Sequence, residues 1–252
     1  FSNKKLFLKR NTRNKKFLEF EKYCLKDLRK YINQENFVIP KVIAYKNIKN
    51  IEILLIEWIE MKNFDQKNLG KGLGEMHLKS AESNPKKFGF QIEGFIGTRN
   101  QKKGWKDNWI DCFLNLRIIP QLLSIKSNTL EEETINKVIE KIKLELLNHK
   151  PINTLVHGDL WSGNAGIDKS GKGVIFDPAS WWADNEVDIA MTKLFGGFRK
   201  EFYEEYHRIF PKKNGFEKRI IIYNFYHILN HANMFGGGYF KQVKDYIKAI
   251  LS

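Results

Sequence analysis

The chain has 252 residues, 42% of them hydrophobic and 29% charged, enough to bury a large core as one large domain or two lobes. No run of 18 apolar residues occurs: residues 51–59 and 220–229 are broken by Glu57 and by Asn224 and His227, so a helical membrane span is not expected. A net charge of +14 invites a nucleic-acid partner. Yet only 8 of the 43 basic residues are arginine and the lysines are spread along the whole chain, so a general attraction for anions is expected rather than specific nucleic-acid binding. The sequence begins at Phe1 and carries no visible signal peptide. Cys24 and Cys112 have no C-x-x-C spacing and read as buried free thiols in a reducing cytosol, which makes a cytoplasmic location the expectation. The sequence carries no sign of oligomeric state.

In chain order, residues 6–9 read as a short strand ending in Lys9. Residues 14–32 follow as a helix with Phe17, Phe20, Cys24, Leu28 and Tyr31 on one stripe. Residues 38–45 and 51–59 read as two strands joined by a polar turn, so the first sixty residues suit a small sheet with one helix packed on it. The character changes after Met61. Leu69, Leu73 and Met76 mark a helix near 66–80, residues 85–104 are loop-rich, and residues 105–124 are aromatic and helical, with Pro120 placed to bend or end them. Thr129 and Glu132 resemble a capping box opening a helix that carries Ile135, Val138, Ile142 and Leu146. From Asn185 onward the pattern is helical, broken at glycine clusters, with no internal repeat or low-complexity tail. The expected boundary separates residues 1–60, a small sheet lobe with one helix, from residues 61–252, a larger and mostly helical lobe.

The chemistry concentrates in residues 155–198. His157-Gly158-Asp159-Leu160 followed by Asn164 has the H-x-D-L-x-x-x-N spacing of the catalytic loop of kinase-type phosphotransferases, where Asp accepts the proton of the attacking hydroxyl and Asn holds magnesium. Thirteen residues further, the run Gly173-Val174-Ile175-Phe176 ends in Asp177, the place for a second metal-binding carboxylate. Asn164 and Asp177 offer hard oxygen ligands that suit Mg2+, with nucleotide phosphates filling much of its shell. Either aspartate alone would read as a turn or strand-end residue. The full set is what points to phosphoryl transfer.

Upstream residues fit the same picture. Lys9 is placed to reach nucleotide phosphates and Glu21, on the next helix, to pair with it; without the downstream motif both would read as ordinary solvated charges. Glu57-Trp58-Ile59 ends an apolar strand and forms a connector whose backbone can pair with adenine, or an ordinary interlobe link. Gly70, Gly72 and Gly74 mimic a phosphate-cradling loop, but they lie sixty residues after Lys9 in a helical pattern and read as close-packing positions. No glycine-rich loop precedes Lys9 in this sequence: either that segment lies elsewhere or phosphates are held without it. Trp161 can stack on a sugar or pack in the core. His231, with Asn230 and Asn233 late on a helix, can line an acceptor pocket.

HGDLWSGN, FDPAS, a Glu-x-Asp pair and LFGGF together closely resemble the fructosamine kinase (ketosamine-3-kinase) family, within the wider aminoglycoside-phosphotransferase and protein-kinase-like group. LFLKRN resembles the family's lysine strand, FLEFEKYCLKDLR its helix with the pairing glutamate, LLIEWIEM its hinge and LNHANMFGGGY its C-terminal helix, so the likeness covers nearly the whole chain. The resemblance implies an α+β, two-lobed protein-kinase-like fold, with a small antiparallel sheet lobe carrying one helix and a larger mostly helical lobe. It implies ATP and Mg2+ as cofactors and phosphorylation of the 3-hydroxyl of small-molecule or protein-bound ketosamines, hence deglycation or repair. It assigns Asp159 as base, Asn164 and Asp177 to magnesium, Lys9 and Glu21 to the nucleotide and Trp161 to the sugar. One departure is that Trp182-Ala183-Asp184 stands where an aromatic-Gly-His sequence is expected, on the acceptor side. The alternatives are a kinase for another small hydroxyl compound, such as an aminoglycoside or choline, and an inactive nucleotide-binding scaffold.

Overall fold

Alternating apolar residues near the start of the chain build a three-stranded antiparallel sheet in which strand Ile51–Glu57 lies between Leu6–Asn11 and Val42–Ile48. The computed structural model describes residues 5–13, 15–62, 65–83, 86–125 and 130–252. Helix Phe17–Leu28 packs on this sheet through Leu18, Phe20, Cys24, Leu25 and Leu28. No side chain next to the helix start caps it. The buried Glu52 of the central strand does so from a distance, accepting the backbone N–H groups of Leu18 (3.1 Å) and Glu19 (2.9 Å) while Tyr45 and Asn11 donate to the same carboxylate. A carboxylate at a helix N-terminus satisfies orphan donors and complements the helix dipole. It also sets where the next turn, with Glu21, sits above the sheet.

The larger lobe is mostly helical. Helix Lys67–Ser83 packs against Lys200–Ile209, and Phe216–Phe235 runs through the core beside Glu186–Leu194 and Gly238–Leu251. A Cβ on Gly70 would stand 2.1 Å from the Phe202 carbonyl oxygen and one on Gly72 2.2 Å from the Phe37 ring, so these glycines allow close packing of the helix on its neighbours. Two four-stranded sheets lie under the catalytic stretch. One orders Asn153–Val156, Trp181–Asp184, Phe88–Phe90 and Gly104–Lys106; the other orders Phe37–Val38, Gly173–Ile175, Ala165–Asp168 and Met61–Lys62.

Several elements differ from their sequence-based bounds. Phe37–Val38 does not begin the strand expected at 38–45: Pro40 interrupts it, and the pair instead joins Gly173–Ile175 in parallel. The stretch read as loop-rich contains the short strands Phe88–Phe90, Gly94–Ile96, Arg99–Gln101 and Gly104–Lys106. The expected helix at 105–124 starts at Trp109 and passes through a π-turn at Leu114–Ile118 before Ile119–Ser124, because Pro120 has no N–H to continue the i→i−4 ladder. Thr129 of the expected capping box lies outside the described residues, and helix Glu132–Leu147 buries Val138, Ile142 and Leu146 as the periodicity predicts. No helix among the described residues is long and apolar enough to cross a membrane.

Candidate active site

Strand Leu6–Asn11 and helix Phe17–Leu28 bring Lys9 and Glu21 together, with Nζ 2.7 Å from Oε1. The same ammonium also touches the Asp177 carboxylate, 168 residues away. Burial alone would lower the Lys9 ammonium, but Glu21 and Asp177 hold it above its ordinary value. Burial raises Glu21, with Lys9 pulling the other way. Asp177 follows strand Gly173–Ile175 and holds φ at 58°, a left-handed conformation that aspartate tolerates better than most residues and that turns its side chain out of the strand direction. Lys9, Glu57, Trp58, Ile59 and Asp177 line one cavity of about 490 Å³, walled also by Phe7, Ile56, Met61 and Phe176. Trp58 stacks on Phe7 with ring centroids 6.0 Å apart.

The catalytic-loop sequence is shaped by groups behind it. Strand Asn153–Val156 delivers the chain to His157, whose buried ring donates from Nε2 to the Phe176 carbonyl (2.9 Å). A carbonyl only accepts, so Nδ1 is unprotonated and accepts the Asp159 N–H at 3.3 Å. Burial lowers the His157 pKa and favours this neutral ring. Gly158 adopts φ 83°, and a Cβ there would lie 2.2 Å from the Ala179 carbonyl oxygen, so no other residue fits. Beneath the turn, fully buried Asp188 accepts the N–H groups of His157 (2.7 Å) and Gly158 (2.8 Å) and contacts His77 Nε2 at 3.2 Å. Although burial opposes the charge, the two histidines and the Gly158 N–H hold Asp188 below the usual carboxylate range.

Asp159 is half-buried at the floor of a second cavity, about 260 Å³, whose wall includes Trp161, Phe195, Asn230, His231 and Tyr239. Burial lifts its carboxyl to about 7; the Asn164 amide pulls against this, and Asp177 and Asp188 push the same way as burial. Asn164, on the 3₁₀ turn Ser162–Asn164, donates from Nδ2 to the Asp159 carbonyl (2.9 Å) and carboxylate (3.3 Å), and its own carbonyl accepts the Phe176 N–H at 3.0 Å. Asn164 therefore ties the residue before Asp177 to Asp159, and its amide oxygen faces away from the group its nitrogen holds. Asp177 lines one cavity and Asp159 the other, and Asn164 is hydrogen-bonded to Asp159 and to Phe176 beside Asp177.

Lys9, Glu57, Trp58, Ile59, Asp159, Trp161, Asp177 and His231 line this pair of cavities, and Glu21 and Asn164 touch lining residues. Trp161 is 38% exposed and its ring leaves no room for a Cβ at Gly163; Phe195 connects it edge-on to His231. His231 Nδ1 pairs with the His227 carbonyl at 2.8 Å, leaving Nε2 as its other polar atom. Asp184, the departure noted at 182–184, turns into the core, where it accepts from His149 Nε2 (2.6 Å) and the Tyr223 hydroxyl (2.7 Å), beside the Glu186–Arg219 ion pair. The His149, Asp184 and Glu186 ligand atoms lie close enough to hold a metal, but each is already engaged by a protein partner. Sequence reasoning missed Phe7, Met61 and Phe176 as cleft walls and Asp188 and Glu52 as positioning groups. The Glu-x-Asp pair carried a signal for Asp188; nothing local marked Glu52.

Comparison with known proteins identifies the family. Residues 2–252 match the fructosamine kinase family. This chain belongs to it. A "probable ketoamine kinase" of Synechocystis sp. is 38% identical over 216 residues, covering 84% of this chain and 72% of the relative. The ketosamine-3-kinase of Mus musculus is 37% identical over 183 residues, covering 67% of this chain and 59% of that protein. Among solved structures, a fructosamine-3-kinase candidate from Haemophilus somnus superposes with a TM-score of 0.87 at 26% identity, covering 99% of this chain and 85% of the other. The aminoglycoside phosphotransferase APH(4)-Ia, in a ternary complex with AMP-PNP and hygromycin B, superposes with a TM-score of 0.63; at 12% identity that likeness speaks to the fold, which is protein-kinase-like. The fructosamine kinase family membership and the two-lobed kinase fold thus agree with the site geometry.

Proposed function

We propose that this fructosamine kinase family member transfers the γ-phosphoryl group of ATP to the 3-hydroxyl of ketosamines, and that residues 1–60 form its nucleotide-binding lobe. The observation that carries this reading is that Asn164 links the two cavities' linings: its side chain holds Asp159 of one, and its carbonyl accepts the N–H of Phe176, next to Asp177, of the other. Glu57-Trp58-Ile59 and the apolar walls of the larger cavity suit adenine, and Lys9, steadied by Glu21, suits the phosphates. The smaller, aromatic cavity suits a sugar, with Trp161 and His231 in its wall. Asp159 orients the acceptor hydroxyl and takes its proton; a carboxyl lifted to about 7 is a better proton acceptor than an ordinary one and is still ionised in about half of the molecules at neutral pH.

The donor set fits magnesium: the Asn164 amide oxygen and the Asp177 carboxylate are hard ligands, and the Lys9 ammonium already marks a cation position against Asp177. When bound, the ion would neutralise phosphate charge as it develops. Lys9, between Glu21 and Asp177, is free to exchange the second carboxylate for a phosphate oxygen without leaving the first. The test is ATP consumption by the purified protein with a small ketosamine, with the phosphorylated position mapped by phosphorus NMR. Consumption that depends on the ketosamine and yields a 3-phosphate supports the reading; ATP binding without turnover on any ketosamine would refute it.

A further inference from the structure

The acceptor pocket contains one buried polar atom whose orientation the surrounding hydrogen bonds fix. Asn233 Nδ2 donates to the backbone carbonyl of Gln121 at 2.9 Å. A backbone carbonyl can only accept, so this end of Asn233 is its NH2 group. The same NH2 group meets the Gln121 side chain at 2.8 Å, and that contact must be Oε1. The other end of Gln121 is then its NH2 group, and it donates to Asn230 across 3.3 Å, which makes the contacting Asn230 atom Oδ1. By elimination the free end of the relay is the Asn230 NH2 group. Asn230 is 1% exposed, and Nδ2 has no hydrogen-bond partner.

A buried donor without a partner costs about 1–3 kcal/mol, so a protein keeps one where something else supplies the acceptor. Asn230 lies in the wall of the cavity whose floor is Asp159. Among the described residues that line this cavity, Asn230 is the one that carries a buried side-chain atom without a partner. We infer that Asn230 is a specificity-determining residue: its NH2 group donates a hydrogen bond to an acceptor-substrate oxygen on a carbon next to the one phosphorylated. Asp159 and Asn230 then grip two neighbouring oxygens of one sugar, the first as acceptor and the second as donor. This pairing sets which hydroxyl faces Asp159. The inference rests on the proposed ketosamine reaction, in which the neighbours of the 3-hydroxyl are the C2 carbonyl oxygen and the C4 hydroxyl.

The experiment compares wild type, Asn230→Ala and Asn230→Asp on three compounds: a small ketosamine, its 4-deoxy counterpart, and its 2-deoxy counterpart, in which the C2 carbonyl is replaced by a methylene that offers no acceptor. Asn230→Asp keeps an acceptor for Gln121 Nε2 but removes the donor, so a residue that merely completes the relay would be rescued by aspartate. Expected is a fall of about 10- to 100-fold in kcat/KM for both variants on the parent ketosamine. Wild type should lose a similar factor on one of the two analogues, and neither variant should lose more on that analogue. Equal turnover of all three compounds by wild type overturns the inference even if a variant fails to fold. So does full activity of Asn230→Asp on the parent, or a variant effect of the same size on all three compounds. Failure of wild type to phosphorylate any ketosamine overturns the substrate reading and this inference with it, whereas ketosamine turnover without the Asn230 coupling overturns this inference alone.

Discussion

Asp159 makes the sharpest kinetic prediction. Its carboxyl is lifted to about 7, chiefly by burial, and the proton-accepting form is the ionised one, so activity is lost as the pH falls through that value and retained above it. At pH 5 about one molecule in a hundred would carry the ionised form and at pH 8 about nine in ten, so kcat/KM should rise about 90-fold between them. A carboxyl at its ordinary 3.8 would give nearly no rise over the same span, being already more than nine-tenths ionised at pH 5 by the same arithmetic. Asp159→Asn keeps the shape and an oxygen for the Asn164 contact while removing the base. It should lower kcat by about 10²- to 10⁴-fold, with an unchanged melting temperature. The residual rate should lose its pH dependence. The assay is ADP release with a small ketosamine from pH 5 to 8.5, repeated with phosphorus NMR detection so that no coupling enzyme limits the acid end. A profile flat down to pH 5, or Asp159→Asn turning over within tenfold of wild type, would refute the assignment of Asp159 as base.

The remaining predictions probe the supports. Glu21→Gln removes the charge that steadies Lys9 and should raise the KM for ATP by about ten- to a hundredfold with little change in acceptor KM, measured by initial rates. Glu52→Ala leaves the start of helix Phe17–Leu28 uncapped and strands the Tyr45 and Asn11 donors; it should cost about 1–3 kcal/mol in urea unfolding and raise the ATP KM as well, because Glu21 rides on that helix. Gly158→Ala forces a Cβ against the Ala179 carbonyl at positive φ, and loss of soluble protein or a markedly lower melting temperature is expected. Burial pushes His227 down to about 3, so it stays neutral in the folded state while the unfolded state takes up a proton below about pH 6.5. Stability linked to this group is therefore lost as the pH drops below that point: the difference between His227→Leu and wild type should widen by about 1.4 kcal/mol per pH unit between pH 6.5 and 4.5, and a constant difference would contradict it.

Much of the site was legible because its chemistry lies in short stretches. Asp159 and Asn164 share one loop, Asp177 ends the next hairpin, and the hydrogen bond from Phe176 N–H to the Asn164 carbonyl joins the two stretches locally. Lys9 and Glu21 were readable only by inference from that loop, since nothing in the first thirty residues distinguishes them from other charges of a lysine-rich chain. The helical lobe followed from periodicity wherever one face is buried, as in Val138, Ile142 and Leu146. The short strands at 88–106 were not legible because three-residue elements carry no period; their partners, not their own residues, define them.

The groups that escaped the sequence share a physical reason: their function lies in a partner far away in the chain. Glu52 sits in a strand whose neighbours alternate, and a charged residue at an alternate position reads as solvent-facing. It is 1% exposed because the start of a helix 33 residues earlier needs an acceptor there. Asp188 looks like a first-turn helix residue, yet its carboxylate holds the backbone of His157 and Gly158 from below. Asn230 is legible as a candidate pocket residue beside His231, but which of its ends is the donor emerges only when the direction of three amides is followed back to the Gln121 carbonyl. In each case the side chain works by fixing a direction: of a helix, of a loop, of a donor. A local sequence pattern records which atoms are present but not which way they face, and here the direction decides where the Lys9–Glu21 pair, Asp159 and the acceptor oxygen stand relative to one another.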